Sequence, residues 1–308
     1  MDWIRFYYYN SPNEDGLLVV KENENLLCDL SGINVEAESP LEESIKAVNE
    51  IVKNYPAPYY VMASGGIDSQ AMVYAWYKAG VPFTILHFTY NDDFNEHDIN
   101  PLKIFVKNLN LSITYHNIDH FSFLKNELKD YAKKYVCASP HITFYMKMAD
   151  MVKDGTVVFS GHPLVENGIV HNFSQLGLYR YSKLSGRSTI PNFFLHTPSL
   201  GRAWFNHSIA THKNIDHILQ KYGLRCYMYA TADFSIIPSK KLTGFENYKL
   251  LFDKHPELIS LGQRLRHFKN KHVYDILFRH PLYEIHKINE IISYSPNLES
   301  FKTFSNKA

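Results

Sequence analysis

Residues 61–76 read VMASGGIDSQAMVYAW. A short apolar run ends at Ala63, two glycines follow between Ser64 and Ser69, and an apolar-rich helical pattern continues to Gly80. Glycine lets the backbone turn sharply and approach a ligand closely. The first N–H groups of a helix point at whatever sits before it and favour an anion. Ser64 and Ser69 add hydroxyl groups, and Asp68 supplies a carboxylate able to hold a divalent cation that bridges phosphates. The loop is not the Walker type, because GxxxxGK[ST] occurs nowhere in the chain. It is not the dinucleotide fingerprint either, since GxGxxG is absent there.

The stretches around this loop alternate. Strands are expected at YYVMAS (59–64), PFTILHFTY (82–90), LSITYHNI (111–118) and TVVFSG (156–161). Helices are expected to start at Pro40 behind an N-cap at Ser39, at Ile67, near Asn95, at His120 and at Pro140. Strands separated by helices of this length predict an α/β fold: a Rossmann-like parallel sheet with helices on both faces. Ligands of such sheets bind beyond the carboxyl ends of the strands. The Ser64–Ser69 loop and the Ser160–Gly161 turn both fall there. Before this core, WIRFYYYN, SPNEDG and LLVVKENENLLCDL read as strand, turn and strand, a small N-terminal β element. After it, QLGLYRYSKLSGRSTIPNFFLHTPSLGRAW (175–204) reads as loops over the site, and the region beyond Phe205 as mainly helical. The expected division is 1–38, 39–166 and 167–308, the last a loop-rich then helical substrate or cap region.

The chain has 308 residues, 45% of them hydrophobic and 20% charged, as in an ordinary globular protein. With 32 basic and 31 acidic residues the net charge is +1, so no global field attracts nucleic acid, although a local patch is not excluded. Aromatics reach 15%, which fits core filling. The 3 cysteines, Cys28, Cys137 and Cys226, form no pair at metal or disulfide spacing. With no signal-peptide pattern at the start and no apolar run of membrane-spanning length, the expectation is a cytoplasmic protein without a membrane span.

SGGIDS resembles the PP-loop of the ATP pyrophosphatase superfamily, and the strand and helix order from about Tyr59 to Glu166 agrees with it. MKMADMVKDGTVVFSGHPLVENG (146–168) resembles the helix, strand and SGxGADE turn of asparagine-synthase-type synthetases. The resemblance implies ATP and Mg²⁺ as cofactors. It implies that Ser64, Gly65, Gly66, Ile67, Asp68 and Ser69 bind the pyrophosphate end of ATP. It sets His87 or Phe88 near the base and Ser160 and Gly161 at the second wall, and makes Asp68 and Glu166 the metal contacts. Val165 stands where that branch has an aspartate. In SIIPSKKLTGFENY (235–248), Lys240 or Lys241 is the candidate catalytic cation for charge on the transferring phosphoryl group. Arg187 and Arg202 are weaker candidates for that task or for a substrate carboxylate.

The implied reaction is adenylation of a carboxylate or carbonyl oxygen on a small-molecule substrate, with release of pyrophosphate and attack by ammonia or an amine. The residues before Tyr59 are too few for the glutaminase domain of asparagine synthase, so ammonia is expected free or from a glutaminase or other protein partner. The N-terminal β element is read as a remnant of such a domain or as a homo-oligomer contact. Two alternatives stay open: a sulfur-handling enzyme of the same superfamily acting on a tRNA or a sulfonucleotide, and a nucleotide-binding sensor subunit without chemistry. Of the 16 histidines, His196, His207, His212 and His217 cluster in sequence but match no ligand spacing.

Overall fold

The computed structural model describes residues 4–7, 25–28, 36–91, 95–135, 140–163, 169–170, 173–213 and 221–237. The five-stranded sheet has the order β5-β4-β3-β6-β8, built from β3 (Tyr59–Met62), β4 (Thr84–Tyr90), β5 (Ile113–Ile118), β6 (Thr156–Val158) and β8 (Ser188–Ile190). Every pairing in it is parallel. The α/β, Rossmann-like sheet expected from the sequence is therefore present. Successive side chains alternate faces, as the two-residue period of a strand requires. Met62, Leu86, Phe88, Val157 and Phe159 join one core, while Val61, Ala63, Ile85, Val158 and Ile190 join the other.

Helices cover both faces. On one side lie α1 (Pro40–Asn54), α2 (Ile67–Ala79), α3 (Glu96–Asn108), α8 (Pro198–Lys213) and α9 (Lys221–Thr231), which bring Val48, Trp76, Phe105, Trp204 and Tyr229 to that core. On the other lie α4 (His120–Ser122), a π-helical turn (Phe123–Glu127), α5 (Leu128–Tyr135), α6 (Pro140–Met151) and α7 (Phe173–Leu184), with Phe123, Phe144 and Tyr181 fully enclosed. A second, antiparallel sheet has the order β1-β2-β7, from β1 (Ile4–Tyr7), β2 (Asn25–Cys28) and β7 (Ile169–Val170). The expected turn around Asn13–Gly16 lies outside the described residues.

The stretch 175–204 corrects the sequence reading. Instead of loops it supplies most of α7, then β8, a 3₁₀ turn at Phe193–Leu195 and the start of α8. β8 has only three residues, too short for a period to register, and is recognisable as a strand only because β6 pairs with it.

The chain runs from β3 outward to β4 and β5, then returns to the other side of β3 as β6. The order reverses between β3 and β6, and in sheets of this kind the carboxyl ends at such a switch point flank a ligand crevice. The two motifs singled out in the sequence are the segments that leave those two ends.

Candidate functional site

The loop after β3 is braced from below. Ala63 donates its N–H to Leu86 O (2.9 Å), and His87 Nδ1–H donates to Ala63 O (2.6 Å). The second bond fixes the His87 tautomer, since a carbonyl can only accept. His87 is buried beneath the loop, and Phe88 is buried in the core on the α4–α7 side, its ring stacked on His116.

Within the loop the serines bond to one another. Ser69 Oγ donates to Gly66 O (2.8 Å) and accepts from Ser64 N–H (3.1 Å), and the two hydroxyl oxygens stand 3.3 Å apart. Ser69 is 2% exposed, so its hydroxyl struts the loop from inside. Gly65 has φ +81°, a conformation open to glycine at little cost, and this is the turn that the sequence implied. Gly66 is the N-cap of α2 and makes no side-chain cap hydrogen bond. The opening turn of a helix leaves its N–H donors without intrahelical partners. Such a start, at a sheet's switch point, suits an anion.

Asp68 is the meeting point of three elements. Tyr229, on α9, donates its hydroxyl to Asp68 Oδ1 (2.6 Å), and His162, just after β6, donates Nδ1–H to Asp68 Oδ2 (3.0 Å). Sequence reasoning missed both partners. They lie 161 and 94 residues from Asp68, and no local pattern links them to it.

The turn after β6 is held as firmly. Ser160 O accepts from the N–H groups of Phe193 (3.1 Å) and Phe194 (3.4 Å). Gly161 has φ +65°, and a Cβ there would stand 2.0 Å from the Asn192 side chain. That approach is possible only for glycine, and it makes the buried Asn192 a second support missed in the sequence. The structure thus brings Ser64, Gly65, Gly66, Ile67, Asp68 and Ser69 to one side of the crevice and Ser160 and Gly161 to the other, joined through His162.

Gln70 is another residue that the sequence did not single out. It is 0% exposed. Its Nε2 donates to Gly65 O (2.9 Å) and Ile237 O (3.0 Å), and its Oε1 accepts from Ile237 N–H (2.7 Å).

Other candidates fall elsewhere. Arg187 is removed from the site: it precedes β8 at the amino edge of the sheet and binds Asp150 (Nε to Oδ1, 2.9 Å; Nη2 to the carbonyl, 2.9 Å) and the Val152 carbonyl. The same carboxylate accepts from Tyr181 (2.7 Å) and Tyr131 (2.5 Å). Burial and Asp150 push both phenols well above their ordinary range. Arg202 lies half-buried on α8, and His207 Nε2 links α8 to Met228 O (3.0 Å) on α9. Buried His196 sits edge-on to Tyr55, and burial lowers its pKa to about 4. Cys226, half-buried on α9, has its thiol pushed up by burial and then by the charge of Asp68. Val165, Glu166, Lys240, Lys241, Cys137 and His217 lie outside the described residues.

Among the described residues, no group of three or more His, Cys, Asp or Glu side chains could hold a metal ion. Magnesium seldom needs one, because it is commonly bound by one or two carboxylates together with substrate phosphates and water. Asp68 fits that use. Tyr229 and His162 hold its carboxylate beside the start of α2, where phosphates would lie. No helix among the described residues is long and apolar enough to cross a membrane.

No family model matches the chain, and no curated protein matches it. Among solved structures it is similar to NMN synthetase from Francisella tularensis, at 15% identity and a TM-score of 0.31, over 72% of this chain and 94% of that one. An overlap of that depth carries no argument about the chemistry.

Proposed function

We propose that the chain binds ATP through the Ser64–Ser69 loop. We further propose that it works as an AMP-forming synthetase, which activates a carboxylate or carbonyl oxygen of a small molecule for attack by ammonia or an amine. The observation that carries this reading is the uncapped N-terminus of α2 at the switch point of a parallel sheet, with Asp68 fixed beside it by Tyr229 and His162. The N–H groups at Gly66 and Ile67 suit phosphate oxygens, and Ser160 and Gly161 close the opposite wall. Asp68 and Glu166 would hold Mg²⁺, which when bound neutralises phosphate charge. Lys240 or Lys241 would offset charge as pyrophosphate departs. Ile237, held by Gln70 beside the loop, precedes Lys240 by three residues in the sequence, and that supports the assignment. Ammonia would arrive free or from a partner protein.

The sulfur-handling alternative needs a nucleophilic thiolate. The raised thiol of Cys226 works against it, because burial and Asp68 both disfavour the anion.

The test is product analysis of ATP incubated with the protein, Mg²⁺ and a metabolite extract, with and without ammonium. AMP and pyrophosphate are expected. Asp68→Asn keeps an oxygen for Tyr229 and removes the charge, so turnover should fall about a hundredfold or more with the fold intact. ATP bound but left whole under all conditions would replace the synthetase with a nucleotide sensor.

A further inference from the structure

We propose that Gln70 is a positioning residue that aims the phosphate loop's backbone and holds Ile237 beside it. This rests on the nucleotide-binding reading above.

A trans peptide is planar, with its C=O and N–H pointing in opposite directions. Gln70 Nε2 holds the carbonyl of Gly65 toward the buried side of α2 (2.9 Å). The N–H of the same peptide unit belongs to Gly66, and it is thereby turned away from Gln70. Its protein contact is a long one, 3.4 Å to Ser64 Oγ, at the weak end of the hydrogen-bond range. One buried amide thus orients the donor that stands at the uncapped start of the helix. Gly65 needs such an anchor. At φ +81°, glycine occupies one of several conformations open to it, and without a fixed carbonyl the peptide can rotate.

The same side chain takes both backbone groups of Ile237, accepting from its N–H (2.7 Å) and donating to its carbonyl (3.0 Å). A side chain that bonds both groups of one residue mimics a neighbouring strand. It therefore fixes the direction as well as the position of the backbone at Ile237. Loop geometry and the placement of Ile237 share one anchor. A glutamine with no exposed surface would otherwise be costly at this position, since a buried polar atom left unpaired forfeits its hydration without compensation.

The probe is inorganic pyrophosphate, measured by calorimetry beside ATP and adenosine on the full chain and on Gln70→Met, which keeps length and removes all three bonds. Loss of an aimed donor to an anion should weaken pyrophosphate and ATP roughly tenfold or more while adenosine changes less than twofold. A merely structural role would weaken all three ligands together, and that result overturns the assignment, as does unchanged pyrophosphate affinity. Should Gln70→Met fail to fold, amide hydrogen exchange on the unaltered protein decides. The Ile237 amide is expected to be protected with or without ligand, and the Gly66 amide to slow only when pyrophosphate is present. A Gly66 amide indifferent to bound pyrophosphate overturns the proposal. If the unaltered protein binds neither ATP nor pyrophosphate, the nucleotide reading falls first and takes this one with it.

Discussion

Helices α1 and α2 lie on the same face of the sheet and share one core, yet they begin in opposite ways. At α1 every feature closes the end. Ser39 Oγ accepts from Glu42 N–H (3.2 Å), Glu43 Oε1 accepts from Glu38 N–H (3.1 Å), and Pro40 has no N–H to satisfy. At α2 the serines on either side of the start bond to each other and to the loop, and Gly66 caps nothing. One N-terminus is finished by its own side chains, and the other, among the described residues, has no side-chain cap. Among the described residues, a helix start without a side-chain cap at the switch point of the sheet is the strongest physical pointer to a ligand.

The comparison is sharpest at Gly66. Its φ is −70°, which any residue adopts, and among the described residues a Cβ there would meet only Ser64 Oγ, at 3.4 Å, an ordinary contact. Gly66→Ala should therefore fold with stability within about 1 kcal/mol of the parent, because Ala is only a poorer N-cap. If the open start is a phosphate site, the new methyl group stands at its mouth, and ATP affinity should fall about a hundredfold, ~3 kcal/mol. Calorimetric titration with ATP, paired with urea unfolding, separates the two effects. ATP affinity unchanged in a folded Gly66→Ala protein would break the contrast between the two helices.

The far end of α1 gives a smaller, pH-dependent effect. Tyr55, its C-cap, meets the edge of His196, whose ring is 4% exposed and whose pKa burial lowers to about 4. An unfolded histidine titrates near 6.5. Above that value both states are neutral and the full stability is present. As pH falls below it, the unfolded chain takes up a proton that the folded chain refuses, so stability drops until about pH 4 and then levels. Between pH 8 and pH 5 this one ring should cost about 2 kcal/mol. The unfolding free energy of the parent minus that of His196→Phe should therefore fall by that amount from pH 8 to pH 5. A constant difference would mean that the ring titrates in the fold as it does in the unfolded chain.

How legible these regions were in the sequence follows from how local their causes are. The start of α1 could be read outright, because Ser39, Pro40, Glu42 and Glu43 act on their immediate neighbours. The loop at Ser64–Ser69 could be read as a strand-to-helix turn for the same reason, and Gly80 as the left-handed end of α2 (φ +67°). What the loop is fastened to could not. Tyr229, His162 and Gln70's partner Ile237 are brought in by the sheet order and by α9, and their residue types carry no signal at those spacings. β8 was hidden by its shortness, and α7 by a composition with Gly177 and Ser182 that reads equally well as loop. Arg187 looked like a ligand for a negative charge and is one, but for Asp150, at the wrong edge of the sheet.

The smallest effect tests the closed half of the comparison. Ser39→Ala removes the acceptor for Glu42 N–H and touches nothing near the crevice. The cap is solvent-exposed, so water can replace part of the lost bond, and the expected destabilisation is about 1 kcal/mol. ATP affinity should not change, since α1 meets α2 through apolar residues such as Ala47, Val48 and Ile51 rather than through its capping group. The pair of results matters more than either alone. An N-cap change at α1 should appear in urea unfolding and not in ATP titration, and one at α2 in ATP titration and hardly in unfolding. If Ser39→Ala weakened ATP as much as Gly66→Ala does, the two helix starts would be parts of one stability unit, and the open end of α2 would lose its claim to be the ligand's place.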